Sequence, residues 1–410
     1  MADVKRTVAA VWRIESARIV GTLARVTGDL GLAEDLAQEA VVDALAQWPV
    51  SGIPQNPGAW LTAVAKRKAI DAWRRRDRLD DRYRALAHEL DASIDSADAW
   101  QPIADDVLRL VFTACHPVLG REAQVALTLR VVGGLTTEEI ARMFLVPVAT
   151  IQQRIVRAKK TLGAARVPFD APDPAEWRSR LGSVLGVVYL VFTEGYAATS
   201  GDRWIRADLA DEALRLGRVL AALVPREPEV HGLVALMELQ ASRFAARVTA
   251  TGEPVLLADQ DRARWDRSQI TRGLAALRRA DDLGRGRGPY ALQAAIAACH
   301  ATAASVDTTD WAQVVLLYEA LGRIAPNPVV DLNRAVAVSM ATGPASALLI
   351  VDRIADDGSL RGSYLLPSVR GELLARLGRR DEARSELATA AALAANTRER
   401  DVLLAKIEAL

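Results

Sequence analysis

The sequence predicts an all-α protein, and three observations carry that expectation. Hydrophobic residues, alanine and leucine foremost, make up 50% of the 410 positions. They recur at spacings of three and four almost throughout, the period of one helix face, while the alternation that marks strands is nearly missing. The breaks in this pattern are rich in proline or in small and acidic residues: "WPVSGIPQNPG" (48–58), "DASIDSADAWQP" (91–102) and "RVPFDAPDPAEW" (166–177). Proline cannot continue a helix, because its ring clashes with the preceding turn and it has no N–H to donate. The last two breaks divide the chain into a first helical module over 1–90, an acidic linker over 91–104, a second module over 105–166, a Pro-rich linker over 167–176 and a C-terminal body over 177–410.

Composition narrows the function. The N-terminus carries Asp3, Lys5 and Arg6 ahead of a helix-like pattern, and no run of eighteen apolar residues follows. The expectation is a cytoplasmic protein with no membrane partner. Cys115, Cys299 and the four His lie in no metal-ligand spacing, so no metal site and no cofactor is expected. Cys115-His116 and Cys299-His300 look reactive, but neighbours on a helix point about 100° apart. Core packing is the simpler reading. A net charge of +1 hides an uneven distribution, with 14 basic and 11 acidic residues in 1–84, one and six in 85–120, and eight and three in 121–166. Two basic modules flanking an acidic spacer suggest a polyanion partner.

The first module holds the densest positive run, "AVAKRKAIDAWRRRDR" (63–78). On a helix beginning near Gly58, Leu61, Ala65, Ala69 and Ala72 form an apolar stripe flanked by Val64 and Trp73. Arg67, Arg74 and Arg78 lie opposite it, beside Arg75. A line of guanidinium groups on a rigid helix suits phosphate, and Trp60 and Trp73 could pack inward or stack on unpaired bases.

The second module carries the more specific signal, "GGLTTEEIARMFLVPVATIQQRIVRAKKTL" (133–162). Gly133 and Gly134 can close a preceding helix, and Thr136 with Glu139 has capping-box spacing for the next. Ile140, Ala141 and Phe144 face inward. "LVPV" turns the chain, and Pro147 opens a second helix whose buried stripe is Ile151, Ile155, Ala158 and Leu162. Thr150, Gln152, Gln153, Arg154, Val156 and Arg157 stay outside that stripe. In a helix-turn-helix the second helix enters the major groove, where Gln and Arg read base edges and Lys159 and Lys160 can hold phosphate.

The C-terminal body contains a faint repeat. Gly371, Leu374, Ala383, Leu387 and Ala390 have the spacing of a tetratricopeptide (TPR) helix pair, with Gly378 at the turn. Shifting back from Ala383 by 36 residues finds Ala347, with Ala335, Val338, Val351 and Ile354 in equivalent places. A further unit is expected around Ala312 and Leu316. Such pairs stack into a short solenoid.

Together, these features resemble the sigma-70 family of bacterial RNA polymerase initiation factors, in its two-domain extracytoplasmic-function (ECF) type. "GDLGLAEDLAQEAVVDAL" (28–45) is similar to the polymerase-binding helix, "NPGAWLTAVAKRKAIDAWRRR" (56–76) to the promoter-melting helix, and 121–162 to the fourth region. The resemblance implies that Asp35, Gln38 and Glu39, on one helix face, dock on the clamp helices of the largest polymerase subunit. It implies that the second module sits at the flap of the second-largest. By the same resemblance, the loop from Trp48 to Asn56 holds a flipped base of the minus-ten element, and Gln152, Gln153, Val156 and Arg157 read the minus-thirty-five element. It also lets the acidic linker imitate RNA in the exit path. The family's frequent turn glycine is Leu145 here, which leaves the angle of the second helix open.

The region beyond 166 resembles the TPR-like extension of one ECF group, through "VVYLVFTEGY" (187–196), "DQDRARWDR" (259–267), "GPYALQAAIAACHA" (288–301), "TDWAQVVLLYEAL" (309–321) and "NPVVDLNRAVAV" (327–338). The resemblance implies an attached regulator that contacts the sigma modules or polymerase. Asp259, Asp261 and Asp266 near Glu194 lack a nucleophile, a metal cluster or a phosphate loop, so salt bridges with Arg262, Arg264 and Arg267 are expected in place of catalysis. The expected protein is a promoter-specificity subunit and not an enzyme. A stand-alone helix-turn-helix regulator with a sensing solenoid is the alternative, and it would need neither the docking face nor the melting helix.

Overall fold

The computed structural model describes residues 2–75, 104–144, 146–173, 175–196, 207–249, 253, 255–358, 360–394 and 397–410. Among these residues the extended elements are α-helices, joined by turns and short 3-10 segments. The expected acidic linker lies almost wholly outside them, as do Arg78 and Leu145. The chain divides into two compact units, Met1–Val188 and Tyr189–Leu410.

The first unit begins with α1 (Ala2–Thr27), α2 (Leu30–Ser51) and α3 (Pro57–Arg75). Gly28, at φ +66, turns the chain between α1 and α2 in a backbone conformation that L side chains rarely adopt. Asp29 then caps α2, its Oδ1 accepting from the Gly31 and Leu32 N–H groups at 2.7 and 3.1 Å. The buried row of α2 is Leu30, Ala33, Leu36, Ala37, Ala40, Ala44 and Trp48. Its many alanines let α1 and α3 approach α2 closely. The expected stripe of α3 is buried at Leu61, Ala65 and Ala69.

The second module comprises α4 (Ala104–Ala114), α5 (Arg121–Val131), α6 (Thr137–Phe144) and α7 (Val148–Ala164), followed by α8 (Trp177–Tyr196). It does not stand apart from the first. Helix α1 packs on α4 and touches α5, and a Cβ added to Gly21 would lie 2.9 Å from the Asp106 carbonyl oxygen. Backbones can come that close only where no side chain intervenes. Two sequence modules therefore fold as one unit. Cys115 is core, as its neighbours suggested, and burial pushes its thiol up to about 11 despite a 3.3 Å contact with Thr128 Oγ1.

The second unit stacks α9 (Ala207–Leu223), α10 (Pro228–Ala241), α11 (Arg267–Asp282), α12 (Pro289–Thr302), α13 (Trp311–Ile324), α14 (Pro328–Thr342), α15 (Pro344–Asp357), α16 (Leu365–Arg376), α17 (Arg380–Leu393) and α18 (Thr397–Glu408). Proline opens α10, α12, α14 and α15, at the one helix position where its missing N–H costs nothing. From α11 onward each helix packs on the next, and α10 packs on both α11 and α12.

The last repeat lies as its spacing predicts. Leu374 on α16 and Ala383, Leu387 and Ala390 on α17 are buried, and Gly378 turns the chain between the two helices at φ +78. A Cβ on Gly371 would stand 2.8 Å from Leu387 Cγ, so glycine here sets how near the two helices come. Ala335, Ala347, Val351 and Ile354 are buried in the preceding pair, with Val338 against the same core. The third expected unit is out of register. Ala312 is exposed and Leu316 is 59% exposed, while Val314, Leu317 and Leu321 face the core. Asp310 caps α13 by accepting from Gln313 N–H at 2.9 Å, and the helix it starts turns the 314/317/321 row inward.

The expected salt bridges around 259–267 are not made among the described residues. Asp261 caps a 3-10 turn through Ala263 N–H at 2.9 Å, and Asp266 caps α11 through Ser268 and Gln269 N–H at 2.8 and 3.0 Å. A carboxylate beside free N–H groups satisfies them locally. Arg262 instead donates to the carbonyls of His300 and Ala303.

Leu387→Ala is expected to destabilise the second unit by about 2–5 kcal/mol, the cost of emptying a buried leucine site. Urea denaturation of the full chain, followed by circular dichroism, measures it.

Candidate nucleic-acid and polymerase interface

The helix-turn-helix is built by local chemistry. Leu135 N–H donates to the Leu129 carbonyl at 3.1 Å and Gly133 N–H to that of Thr128 at 3.0 Å, while Gly134 takes φ +70. These bonds close α5. The capping box is complete: Thr136 N–H donates to Glu139 Oε2 at 2.8 Å, and Glu139 N–H donates to Thr136 Oγ1 at 3.1 Å. Pro147 is the N-cap residue of α7, whose buried row is Ile151, Ile155, Ala158 and Leu162.

With that row inward, α7 turns Gln152, Gln153, Val156, Arg157 and Lys160 to the surface. Thr150 is half-buried. Arg154 and Lys159, also expected to face DNA, turn back to carboxylates. Arg154 pairs with Glu122 at 2.7 Å, and Lys159 contacts both Glu34, in the tightest of these pairs, and Asp35 at 3.5 Å. Sequence spacing placed all eight on the outer side of the helix; it carries no record of which acidic residues of α2 and α5 stand opposite.

The expected docking face is similarly divided. Asp35 and Glu39 are exposed on α2, and Gln38 is half-buried. Glu39 lies 3.4 Å from Lys68 of α3, which also meets Asp43 at 3.0 Å. Hydrogen bonding to Asp43 is the chief cause that holds Lys68 above the ordinary lysine range. So Lys68 ties α3 to α2, and its neighbour Lys66 is buried, its pKa lowered first by burial and then by Arg25. Of the positive charges at 66–68, Arg67 points to solvent. Trp73, Arg74 and Arg75 lie in the last turns of α3, and their side chains are outside the described residues.

The structure redraws the expected loop from Trp48 to Asn56. Helix α2 continues through Pro49 to Ser51, and Trp48 is 2% exposed with its ring edge-on to Trp60 at 5.4 Å. A base cannot stack on a ring packed this way. The exposed loop is shorter, over 52–56. Asn56, at its end, accepts from Ala59 N–H at 3.1 Å and caps α3. Trp60 is half-buried beside it.

Among the described residues, no cluster of His, Cys, Asp and Glu could hold a metal ion, and no helix is long and apolar enough to cross a membrane. A capped two-helix unit with a polar, cationic second helix, packed on a helical module that ends in a basic helix, defines a helix-turn-helix transcription protein. Comparison with known proteins places it within that class. Residues 13–79 match sigma-70 region 2, residues 109–162 match sigma-70 region 4, and residues 180–281 match a family of unknown function, DUF6596. The chain is 46% identical to Uncharacterized protein R00370 of Rhizobium meliloti, over 93% of this chain and 90% of that one. It is 33% identical to the Probable ECF RNA polymerase sigma factor SigI of Mycobacterium tuberculosis, over 42% of this chain and 59% of that protein. No solved structure matches it. The chain belongs to the sigma-70 family as an ECF-type factor with an added C-terminal domain, and its role lies in transcription initiation.

Thr136→Ala removes the oxygen that accepts from Glu139 N–H. It is expected to cost about 0.5–2 kcal/mol, the usual range for a lost N-cap, read as a lower unfolding midpoint of the first unit.

Proposed function

We propose that this chain binds core RNA polymerase through Asp35, Gln38 and Glu39, selects promoters through α7, and is regulated by its own C-terminal unit. The observation that carries the reading is the outward row Gln152, Gln153, Val156, Arg157 and Lys160 on a helix anchored by Ile151, Ile155, Ala158 and Leu162. Amide and guanidinium groups can meet purine edges with paired hydrogen bonds, Val156 can pack on a thymine methyl, and Lys160 can hold a phosphate. Earlier in the chain, the loop 52–56, Trp60 and the basic end of α3 with Arg67, Arg74 and Arg75 face the minus-ten element as it opens. The sigma modules act by binding and positioning, without a reaction of their own.

The clamp helices of the largest subunit take the α2 face, and the flap of the second-largest takes the second module. The TPR-like unit replaces a separate regulator, acting on the sigma modules in the same chain or on polymerase. Its exposed apolar residues Leu316, Val336 and Leu349 supply surface for such a contact.

Gln153→Ala and Arg157→Ala are each expected to weaken selection of the minus-thirty-five element by about 1–3 kcal/mol, measured as run-off transcription from promoters that differ only there. Unchanged selectivity would remove α7 from base reading. Asp35→Ala with Glu39→Ala is expected to lower co-elution of the full chain with core polymerase by several-fold while circular dichroism stays the same. Normal co-elution would move the docking face elsewhere. For the C-terminal unit, a chain ending at residue 166 should differ from the full chain in transcription at equal polymerase occupancy; equal output would deny it a regulatory role.

A further inference from the structure

We propose that the second unit holds a binding site for a small oxyanion that also carries a hydroxyl group, centred on Arg243, Trp265 and His300. The function proposed above makes no use of the segment "DQDRARWDR" (259–267). It runs through 3-10 turns at Leu257–Asp259 and Arg262–Arg264. Asp266 N–H pins it to the end of α10 by donating to the Ser242 carbonyl at 2.8 Å. Trp265 is thereby buried, 3% exposed, with the Arg262 and Arg243 guanidiniums over its ring at 4.9 and 5.5 Å from the centroid. Arg262 goes on to the His300 and Ala303 carbonyls at the end of α12, and Arg243 Nη2 donates to Tyr196 Oη of α8 at 3.1 Å. Four parts of the chain thus meet around one indole.

Two features set this cluster apart from an ordinary core. The first is its charge. Among the described residues neither Arg243 nor Arg262 makes an ion pair; their partners are hydroxyls and carbonyls. Arg247 adds a third guanidinium, 3.6 Å above the Tyr196 ring. Buried cations that meet only neutral groups are costly. The excess charge reaches His300, which burial, then Arg243 and Arg262, push down to about 4. The second feature is unmet hydrogen bonding. Arg243 Nε, Trp265 Nε1 and His300 Nδ1 are buried with no partner, and so are Gln240 Oε1 and Gln260 Oε1. A buried indole N–H usually finds an acceptor, and native interiors leave few such atoms unmet. Gln260 is itself buried, and its orientation is fixed because Nε2 donates to the Val255 carbonyl at 3.0 Å. Its oxygen therefore requires a donor.

These unmet groups define the ligand. Arg243 Nε–H and Trp265 Nε1–H donate beside uncompensated positive charge, which suits an oxyanion. The Gln260 oxygen and the neutral His300 ring can accept a hydroxyl proton, which an anion without an O–H does not offer. A hydroxycarboxylate such as glycolate, or hydrogen phosphate, offers both groups. Water would meet the same atoms and leave the charge unbalanced. Under the regulatory role proposed above, occupancy of this site is the chemical input to the second unit. The test reads binding alone and so does not depend on that role.

The test uses the full chain with its nine tryptophans labelled with 15N. The Trp265 indole resonance is identified by its loss in Trp265→Phe. Glycolate, phosphate and acetate are titrated separately at constant ionic strength. The expected result is a saturable shift of that resonance with glycolate or phosphate, and binding about tenfold weaker with acetate, which lacks the hydroxyl. The tighter of the first two tells a hydroxy acid from a phosphate source. Arg243→Gln is expected to raise the Kd about tenfold or more, as loss of a charged hydrogen bond requires. Gln260→Met, which keeps Arg243 and Trp265, should bring glycolate and phosphate closer to acetate. No saturable shift with any of the three anions would overturn the site and leave its polar atoms to water. An equal shift in the parent chain and both folded variants would place the anion elsewhere and overturn it too. Equal binding of acetate would overturn the hydroxyl requirement.

Discussion

The first unit depends on the burial of one carboxylate. A charge removed from water is tolerable only where opposite charges reach it with good geometry, and Glu34 meets Arg130 and Lys159 from two different helices. That requirement fixes α5 and α7 against α2 in a single register. Other ties lie beside it: Asp35 also meets Lys159, Arg13 meets Glu139, and the Gly21 backbone lies close against Asp106. The helix-turn-helix is therefore placed by electrostatics across the modules, while its own shape is set by caps and an apolar row within it.

The second unit obeys a different constraint, the width of its small residues. Gly371 on Leu387 and Gly232 on Ala291 are approaches at which any added Cβ would fall within 3.0 Å of its neighbour. Alanines at 335, 347, 383 and 390 continue the same economy of volume. Close packing of this kind is directional, because a methylene added at one crossing displaces the next helix in the stack. A helical repeat can therefore stay regular over several pairs without long-range polar ties.

The second unit also holds a polar, aromatic region at 243–311. Trp265 is buried with Arg243 and Arg262 over its ring, at 5.5 and 4.9 Å from the centroid. Arg262 also ties the end of α12 through the His300 and Ala303 carbonyls. Burial, then Arg243 and Arg262, pushes the neighbouring His300 down to about 4, so the ring is neutral where it meets Trp311. The density of Trp, Tyr, Asp and Arg in these segments marks a core in which guanidinium groups stack on rings and bond to helix-end carbonyls.

The sequence by itself determined what short-range physics controls. Helical periodicity gave the fold class, and cap spacing gave the Thr136–Glu139 box and the Gly and Pro boundaries beside it. The 36-residue repeat gave the last two helix pairs, and the apolar row of α7 gave its outward residues Gln152, Gln153, Val156 and Arg157. Each of these depends on residues within a few turns of one another. Tertiary structure decided which charged side chains remain available. Lys159, Arg154, Lys68 and Glu39 lie at positions that read as surface, yet each has a partner on another helix. Trp48 looked like loop and is core, because Trp60, beyond the next turn, covers it. Leu316 looked like core and is exposed, because the start of α13 turns its helix the other way. A helix face is written in its own spacing, whereas the partner of a charge is set by where distant segments meet.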